Sequence, residues 1–301
     1  ISKSDKMTAP EMERSTETHR ITLALSITAI YFFAELLGGI LTNSLALLSD
    51  AGHMFSDIAA LGLTLFAFQM ARRPATTKKT YGYHRLEILA ALINGLTLWL
   101  IVGVILNEAY RRFLDPPQVH SLGMLLIASV GLMVNVVAGM ILYGPDHGSL
   151  NMRGAFLHVL GDALGSVGAV AAGLIMLATD WYLADPAVSV LIGLLILYTS
   201  WGLIKESVDI LMQSVPKGID VEVVQRALEQ VSGVIKIHDL HVWSVTSGVF
   251  TLSAHAVIVP DGNPQMILDR IEDKLKSQFC IEHITIQLEF EDREGREFQG
   301  F

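Results

Sequence analysis

Six apolar stretches, separated by short polar breaks, fill the first two thirds of the chain. They run over 21–41, 45–70, 87–110, 122–143, 156–178 and 183–204. Each has about the 20 residues that carry an α-helix across the hydrocarbon core of a bilayer. The breaks contain helix-stopping chemistry: Thr42-Asn43-Ser44 after the first stretch and Asp115-Pro116-Pro117 after the third. Gly144-Pro145-Asp146-His147-Gly148 follows the fourth, and Asp185-Pro186 opens the sixth. The pattern predicts a six-helix membrane domain over 20–213. A polar segment over 1–19 precedes it and is expected to be disordered at its start.

Past Val215-Pro216 the hydropathy falls and the period changes. Residues 219–231 and 263–279 show helical spacing, with Val223, Val224, Ala227, Leu228 and Val231 in the first, and Met266, Ile267, Ile271 and Leu275 in the second. Residues 234–245, 250–259 and 283–290 alternate as strands do, and Thr246-Ser247-Gly248 supplies a turn between the first two. The predicted order α-β-β-α-β makes a small two-layer α+β domain over 214–291, followed by a charged tail over 292–301.

Composition agrees with a membrane chain. It is 51% apolar and 17% charged with a mean hydropathy of +0.48, whereas a soluble domain carries about 25% charged residues. The net charge of −9 is unevenly spread. Lys3, Lys6, Arg14 and Arg20 precede the first span, and Arg72, Arg73, Lys78, Lys79 and Arg85 lie between the second and third. The loops after spans one and five have no Lys or Arg, and the loop after span three has only Arg111 and Arg112 near it. This asymmetry predicts cytoplasmic N and C termini. No basic patch interleaved with aromatics suggests nucleic acid. The single Cys280 excludes an intrachain disulfide and a cysteine-rich metal site, and fits a reducing compartment. The opening at Ile1 is expected to reflect trimming, and the segment to Arg20 lacks the layout of a signal peptide.

The second span contains LLSDAGHMFSD, placing Asp50, His53 and Asp57 inside an apolar helix. The fifth contains HVLGDALGS, with His158 and Asp162 at the same H-x-x-x-D spacing. Residues four apart lie on one helix face. A carboxylate at mid-span costs about 2.5–3.5 kcal/mol on insertion scales, so it needs a partner or a function. Polar residues in spans also serve simply to tie helices together, but packing does not call for the same spacing twice. Two imidazoles and two carboxylates suit a tetrahedral ion: zinc takes both ligand types, with cadmium, cobalt or iron(II) left open. Absence of thiolate disfavours copper(I), and calcium and magnesium prefer oxygen alone. Because neutral imidazole is the ligand, protons compete with metal for the same atoms. A site exchanging one for the other while alternating its exposure would be a metal/proton antiporter. Glu35 in span one and Asp50 are candidates for the pathway or for supporting the site, and each could equally be a structural pair. Asp50, nearer the span's end, is expected to be partly wet. Asn135 in span four is expected to tie helices together.

Taken together, NSLALLSDAGHMFSD, YGYHRLEILAALING, HVLGDALGS, SVDILMQSVP and HDLHVWSVTSGVFTLSAHAVI resemble the cation diffusion facilitator family of zinc and cobalt–zinc–cadmium efflux proteins. The resemblance covers the chain from about His19 to Phe290. It implies six transmembrane helices, a metallochaperone-like cytoplasmic domain of ferredoxin-like type, a homodimer and proton-coupled export. It also implies a transport site at His53, Asp57, His158 and Asp162, with His at the first position as in zinc-preferring members. Family members often bind zinc in the cytoplasmic domain at positions matching His238, His255 and Glu289. Strand histidines that are merely solvated are the alternative there. The His-rich loop of eukaryotic members is missing, only His147 standing between spans four and five, which points to a bacterial inner membrane. The loop between spans two and three has only His84, either a ligand or a side chain at headgroup level.

The expected function is therefore export of Zn²⁺ from the cytoplasm in exchange for H⁺, with no enzyme activity. A membrane zinc hydrolase would need an open coordination position and a general base, and no H-E-x-x-H motif is present. A metal sensor would not need six spans.

Overall fold

A computed structural model of the chain describes residues 9–143 and 150–291. The turn expected at 144–148, with His147, and the tail at 292–301 lie outside the described residues. Six long helices come first: α1 (Ala9–Thr42), α2 (Leu45–Ala71), α3 (Leu86–Leu114), α4 (Ser121–Leu142), α5 (Leu150–Thr179) and α6 (Ala184–Leu211). All six are long and apolar enough to cross a membrane. Two boundaries differ from expectation. Helix α1 begins at Ala9, well before the apolar stretch, and α5 begins at Leu150 rather than at Phe156. Residues 9–20 add about three polar turns to α1 and residues 150–155 about one and a half mixed turns to α5, and helix of that composition leaves no hydropathy signal.

Contacts group the chain into two compact units, Ile1–Leu61 with Asn94–Trp201, and Gly62–Ile93 with Gly202–Phe301. In the first unit, Leu47, Val102, Met124, Met176 and Ile196 from five helices meet in one core. Large apolar side chains such as Ile30, Phe33, Leu100, Val104 and Leu191 face outward and are exposed, as lipid-facing positions of helices require. Close packing of α1 on α4 depends on Gly131, where a Cβ would overlap the Tyr31 hydroxyl. Tyr31 donates instead to the Ile127 carbonyl at 2.8 Å.

The C-terminal domain is α7 (Val221–Glu229), β1 (Val234–Thr246), β2 (Val249–Ile258), α8 (Pro264–Phe279) and β3 (His283–Glu289). The predicted α-β-β-α-β order is thus observed. Asp220 caps α7 by accepting from the amides of Glu222 and Val223, and Asn263 caps α8 through Gln265 and Met266. Ser247-Gly248 closes a two-residue hairpin, with Gly248 at φ +74°. The sheet order is β1-β2-β3, the first pair antiparallel and the second parallel. Ile237, Leu252, Ala254 and Ile258 turn to the helix layer and pack with Leu228, Ile271 and Leu275. By strand alternation His238, His255 and Glu289 fall on the opposite face.

Candidate metal centres

The N-terminus of α2 is fixed first. Ser44 caps the helix, its Oγ accepting from the Leu47 amide at 3.3 Å. That hydroxyl donates to Asp185 Oδ1 at 2.7 Å. Asp185, at the start of α6, is fully buried. It also accepts from the Leu45 amide at 2.7 Å, the Ala46 amide at 3.1 Å and Arg112 Nη1 at 3.3 Å. Arg112 in turn donates to the Asn43 carbonyl at 2.7 Å and to Asn43 Oδ1 at 3.0 Å. This network pins α2 to α3 and α6 at one end of the bundle. Farther along, Ser56 donates to Asn94 Oδ1 of α3 at 2.9 Å. Asp185, Arg112 and Asn94 had no assigned role in the sequence reading. The available signal was a carboxylate and an arginine at the ends of apolar helices, which demand partners but do not name them.

Between these anchors α2 presents His53 and Asp57, and α5 presents His158 and Asp162. The structure brings all four together. His53 Nε2 lies 3.5 Å from Asp162 Oδ1 and 3.9 Å from Asp57 Oδ2. His158 Nε2 lies 3.2 Å from Asp57 Oδ2 and 3.7 Å from Asp162 Oδ2. A tetrahedron with metal–ligand distances of about 2.0–2.1 Å has edges of about 3.3 Å, close to these separations. His53, His158 and Asp162 each offer an atom within 4.8 Å of the others, and Asp57 contacts both rings. The rings are tilted at 57° with centroids 5.7 Å apart. Asp162 is nearly buried, whereas His158 keeps 42% of its side chain accessible. The cluster thus has a closed floor and an open wall. Asp50, Gly161, Gly165, Ile192 and Thr199 share the cavity with His53, His158 and Asp162.

Asp50 is buried rather than partly wet, because α5 packs over its carboxylate at Gly165. Glu35 is also buried. Asn135 ties α4 to α5, its Nδ2 donating to Ser166 Oγ at 3.1 Å. His84 is exposed in the α2–α3 connection and lines a depression with Tyr81 and His283.

A second cluster lies on the face of the sheet turned away from α7 and α8, with His238 and Glu289 buried. His238 and His255 are direct cross-strand partners, and His255 pairs with Gln287 on β3, two residues before Glu289. Register therefore brings all three to one spot. His238 Nε2 lies 3.3 Å from Glu289 Oε2, and His255 Nδ1 lies 3.4 Å from Glu289 Oε1. Gln287 Nε2 donates to Glu289 Oε1 at 2.7 Å and holds the carboxylate in place. Asp239, forced to φ +50° at a break in the strand register, adds an oxygen 3.9 Å from His255 Nε2.

Comparison with known proteins agrees with both halves. Residues 21–212 match the cation efflux transmembrane domain, and 216–291 match the cation efflux protein cytoplasmic domain. A cadmium, cobalt and zinc/H(+)-K(+) antiporter of Bacillus velezensis is 47% identical over 86% of this chain and 84% of its own length. The metal cation efflux system protein CzcD of Cupriavidus metallidurans is 43% identical, over 89% and 85%. The zinc transporter ZitB of Escherichia coli is 40% identical, over 96% and 92%. The metal-bound C-terminal domain of the CzcD transporter is 38% identical over 24% of this chain and 99% of that one, with a TM-score of 0.23. Six spanning helices with a three-stranded domain behind them, matched in both halves, place this chain in the cation diffusion facilitator family of metal efflux transporters.

Proposed function

We propose that this protein exports Zn²⁺ from the cytoplasm in exchange for H⁺, binding each ion through His53, Asp57, His158 and Asp162. The observation that carries the proposal is the convergence of these four side chains from α2 and α5 at separations of 3.2–3.9 Å. Cadmium and cobalt fit the same donors, and the Bacillus velezensis relative is named for all three metals. That name also supports a proton counter-ion.

Zinc enters with the imidazoles neutral, so Nε2 of each ring is free to bind it. The two carboxylates offset the ion's charge in a medium where leaving it bare would be costly. Protons arriving at the same atoms on the far side weaken the site and release the ion. Alternation of the open wall between the two membrane faces makes the exchange vectorial. The N and C termini face the cytoplasm, as the positive charges of the α2–α3 connection favour, and the membrane is a bacterial inner membrane, a reading supported by the bacterial sources of the relatives. His238, His255 and Glu289 form a second zinc site, and the cytoplasmic domain, which matches a family described by dimerisation, joins two copies. Four protein ligands leave no position for an activated water, which disfavours a hydrolase.

Flux into proteoliposomes tests the proposal. Wild type should accumulate zinc with an opposing proton flux, and Asp57→Ala and Asp162→Ala should not. Undiminished flux in both variants would refute it.

A further inference from the structure

The sheet face that carries His238 and His255 has a second polar spot at its other end. Thr251 lies four residues before His255 on β2, so alternation puts both on one face, about 13 Å apart along the strand. Parallel register sets His283 of β3 beside Thr251. The α2–α3 connection packs against this end of the face. The Tyr81 ring stands edge-on to His283, with centroids 5.6 Å apart at 75°. Thr246, at the end of β1, donates through Oγ1 to Glu87 Oε2 at 2.6 Å. All of these residues belong to one compact unit. Between connection and sheet lies a depression of about 280 Å³. Arg73, Thr80, Tyr81 and His84 line it from the connection, and Thr251 and His283 from the sheet.

Every polar side chain on this lining can donate a hydrogen bond, and none is a carboxylate. Thr251 is 1% exposed, and its Oγ1 has no partner among the described residues. No ion pair engages Arg73 among the described residues. The connection carries Arg72, Arg73, Lys78, Lys79 and Arg85 with no Asp or Glu, and Glu87 beyond it is engaged by Thr246. Orientation in the membrane explains the charges by themselves. It does not call for a concavity, or for a threonine and a histidine delivered by strands far along the chain. Two imidazoles beside a guanidinium, with no carboxylate, make a poor cation site. They suit an anion, and guanidinium matches phosphate geometry above all. The volume is near the lower end for small-ligand pockets, about 300 Å³. Helix α2 ends at Ala71 and α3 begins at Leu86, so Arg73 lies two residues beyond a span. Basic pockets at such positions take acidic lipid headgroups.

We propose that this depression binds the phosphate of an acidic phospholipid. Arg73 pairs with the phosphate charge, His84 and His283 donate ring N–H groups, and Thr251 supplies the hydroxyl that otherwise lacks a partner. Inorganic phosphate offers the same chemistry, and the position just past a span selects the lipid. A headgroup held this way touches both the connection and β3. It therefore ties the cytoplasmic domain to the ends of α2 and α3. The site shares no residue with either metal cluster.

The test is native mass spectrometry of the full-length protein in detergent, titrated with a short-chain phosphatidylglycerol. Wild type should retain one tightly held lipid per chain. Arg73→Gln and His283→Gln should each weaken it about tenfold, the loss of one hydrogen bond to a charged group. Both side chains are exposed, so the fold should survive, and should one variant aggregate the other decides. Lys78→Gln removes the same charge from the same connection outside the depression. It should change affinity by less than about twofold, as an exposed charge does. Equal losses in Arg73→Gln and Lys78→Gln would overturn the proposal, because lipid would then be drawn to the charge of the connection and not to a site. Unchanged affinity in Arg73→Gln or His283→Gln would overturn it too. Millimolar inorganic phosphate should not displace the lipid, and displacement would overturn the assignment to a headgroup. No zinc enters this titration, so failure here leaves the transport reading untouched.

Discussion

Replacing Asp185 should damage the protein more than its distance in sequence from every proposed ligand suggests. Its fully buried carboxylate accepts from Ser44 Oγ, two backbone amides of α2 and Arg112. Breaking a buried ion pair from one side costs about 3–5 kcal/mol, because the other charge is left uncompensated. Arg112 would retain Glu108 at 3.2 Å and the Asn43 oxygens. The cost of Asp185→Ala should therefore fall at the lower end, about 3 kcal/mol. Asp185→Asn keeps one acceptor oxygen and loses the charge, so about 1.5 kcal/mol is expected, the low end for a hydrogen bond to a charged group. The same changes free the start of α2, which carries His53 and Asp57, so zinc affinity should weaken along with stability. Denaturant unfolding of the detergent-solubilised protein, followed by helical circular dichroism, reads the first effect, and zinc titration the second. A loss under about 1 kcal/mol for Asp185→Ala, with zinc affinity unchanged, would show that this network does not hold the helix.

Further tests address other layers. Gly131→Ala drives a methyl into the Tyr31 hydroxyl and should cost about 1–3 kcal/mol in the same unfolding assay. Zinc affinity at the membrane site should fall as pH drops through the histidine range, by up to about tenfold per unit for each displaced proton. The sign follows from protons and metal sharing the same nitrogens. Titrating zinc between pH 8 and pH 5.5 checks this, and an affinity that rose on acidification would contradict it. His238→Ala with Glu289→Gln should abolish zinc-dependent stabilisation of the cytoplasmic domain while leaving the membrane ligands able to load. Differential scanning calorimetry with and without zinc separates the two.

Much of this architecture was legible in the sequence because membrane spans and alternating strands leave strong periodic signals. The meeting of His53, Asp57, His158 and Asp162 was legible too, since H-x-x-x-D in an apolar helix is costly and appears twice. The convergence of His238 with His255 followed from two adjacent strands, although the parallel addition of β3 that delivers Glu289 did not. What remained hidden depends on contacts distant in sequence. Asp185 and Arg112 are 73 residues apart, and the break at Asp185-Pro186 conveyed only that a helix starts there. Burial of Asp50 depends on Gly165 crossing over it, which helix spacing alone does not reveal. The early start of α1 at Ala9 was hidden because its first turns are polar.

The central claim is that one ion sits among two imidazoles and two carboxylates between α2 and α5. X-ray absorption at the zinc edge tests it most directly, on full-length protein whose cytoplasmic site has been removed by His238→Ala and His255→Ala. The account predicts about one zinc per chain with four N/O neighbours at about 2.0–2.1 Å, two of them imidazole, and loss of that signal in Asp162→Ala. A zinc shell without imidazole, or one that survives Asp162→Ala intact, would contradict it.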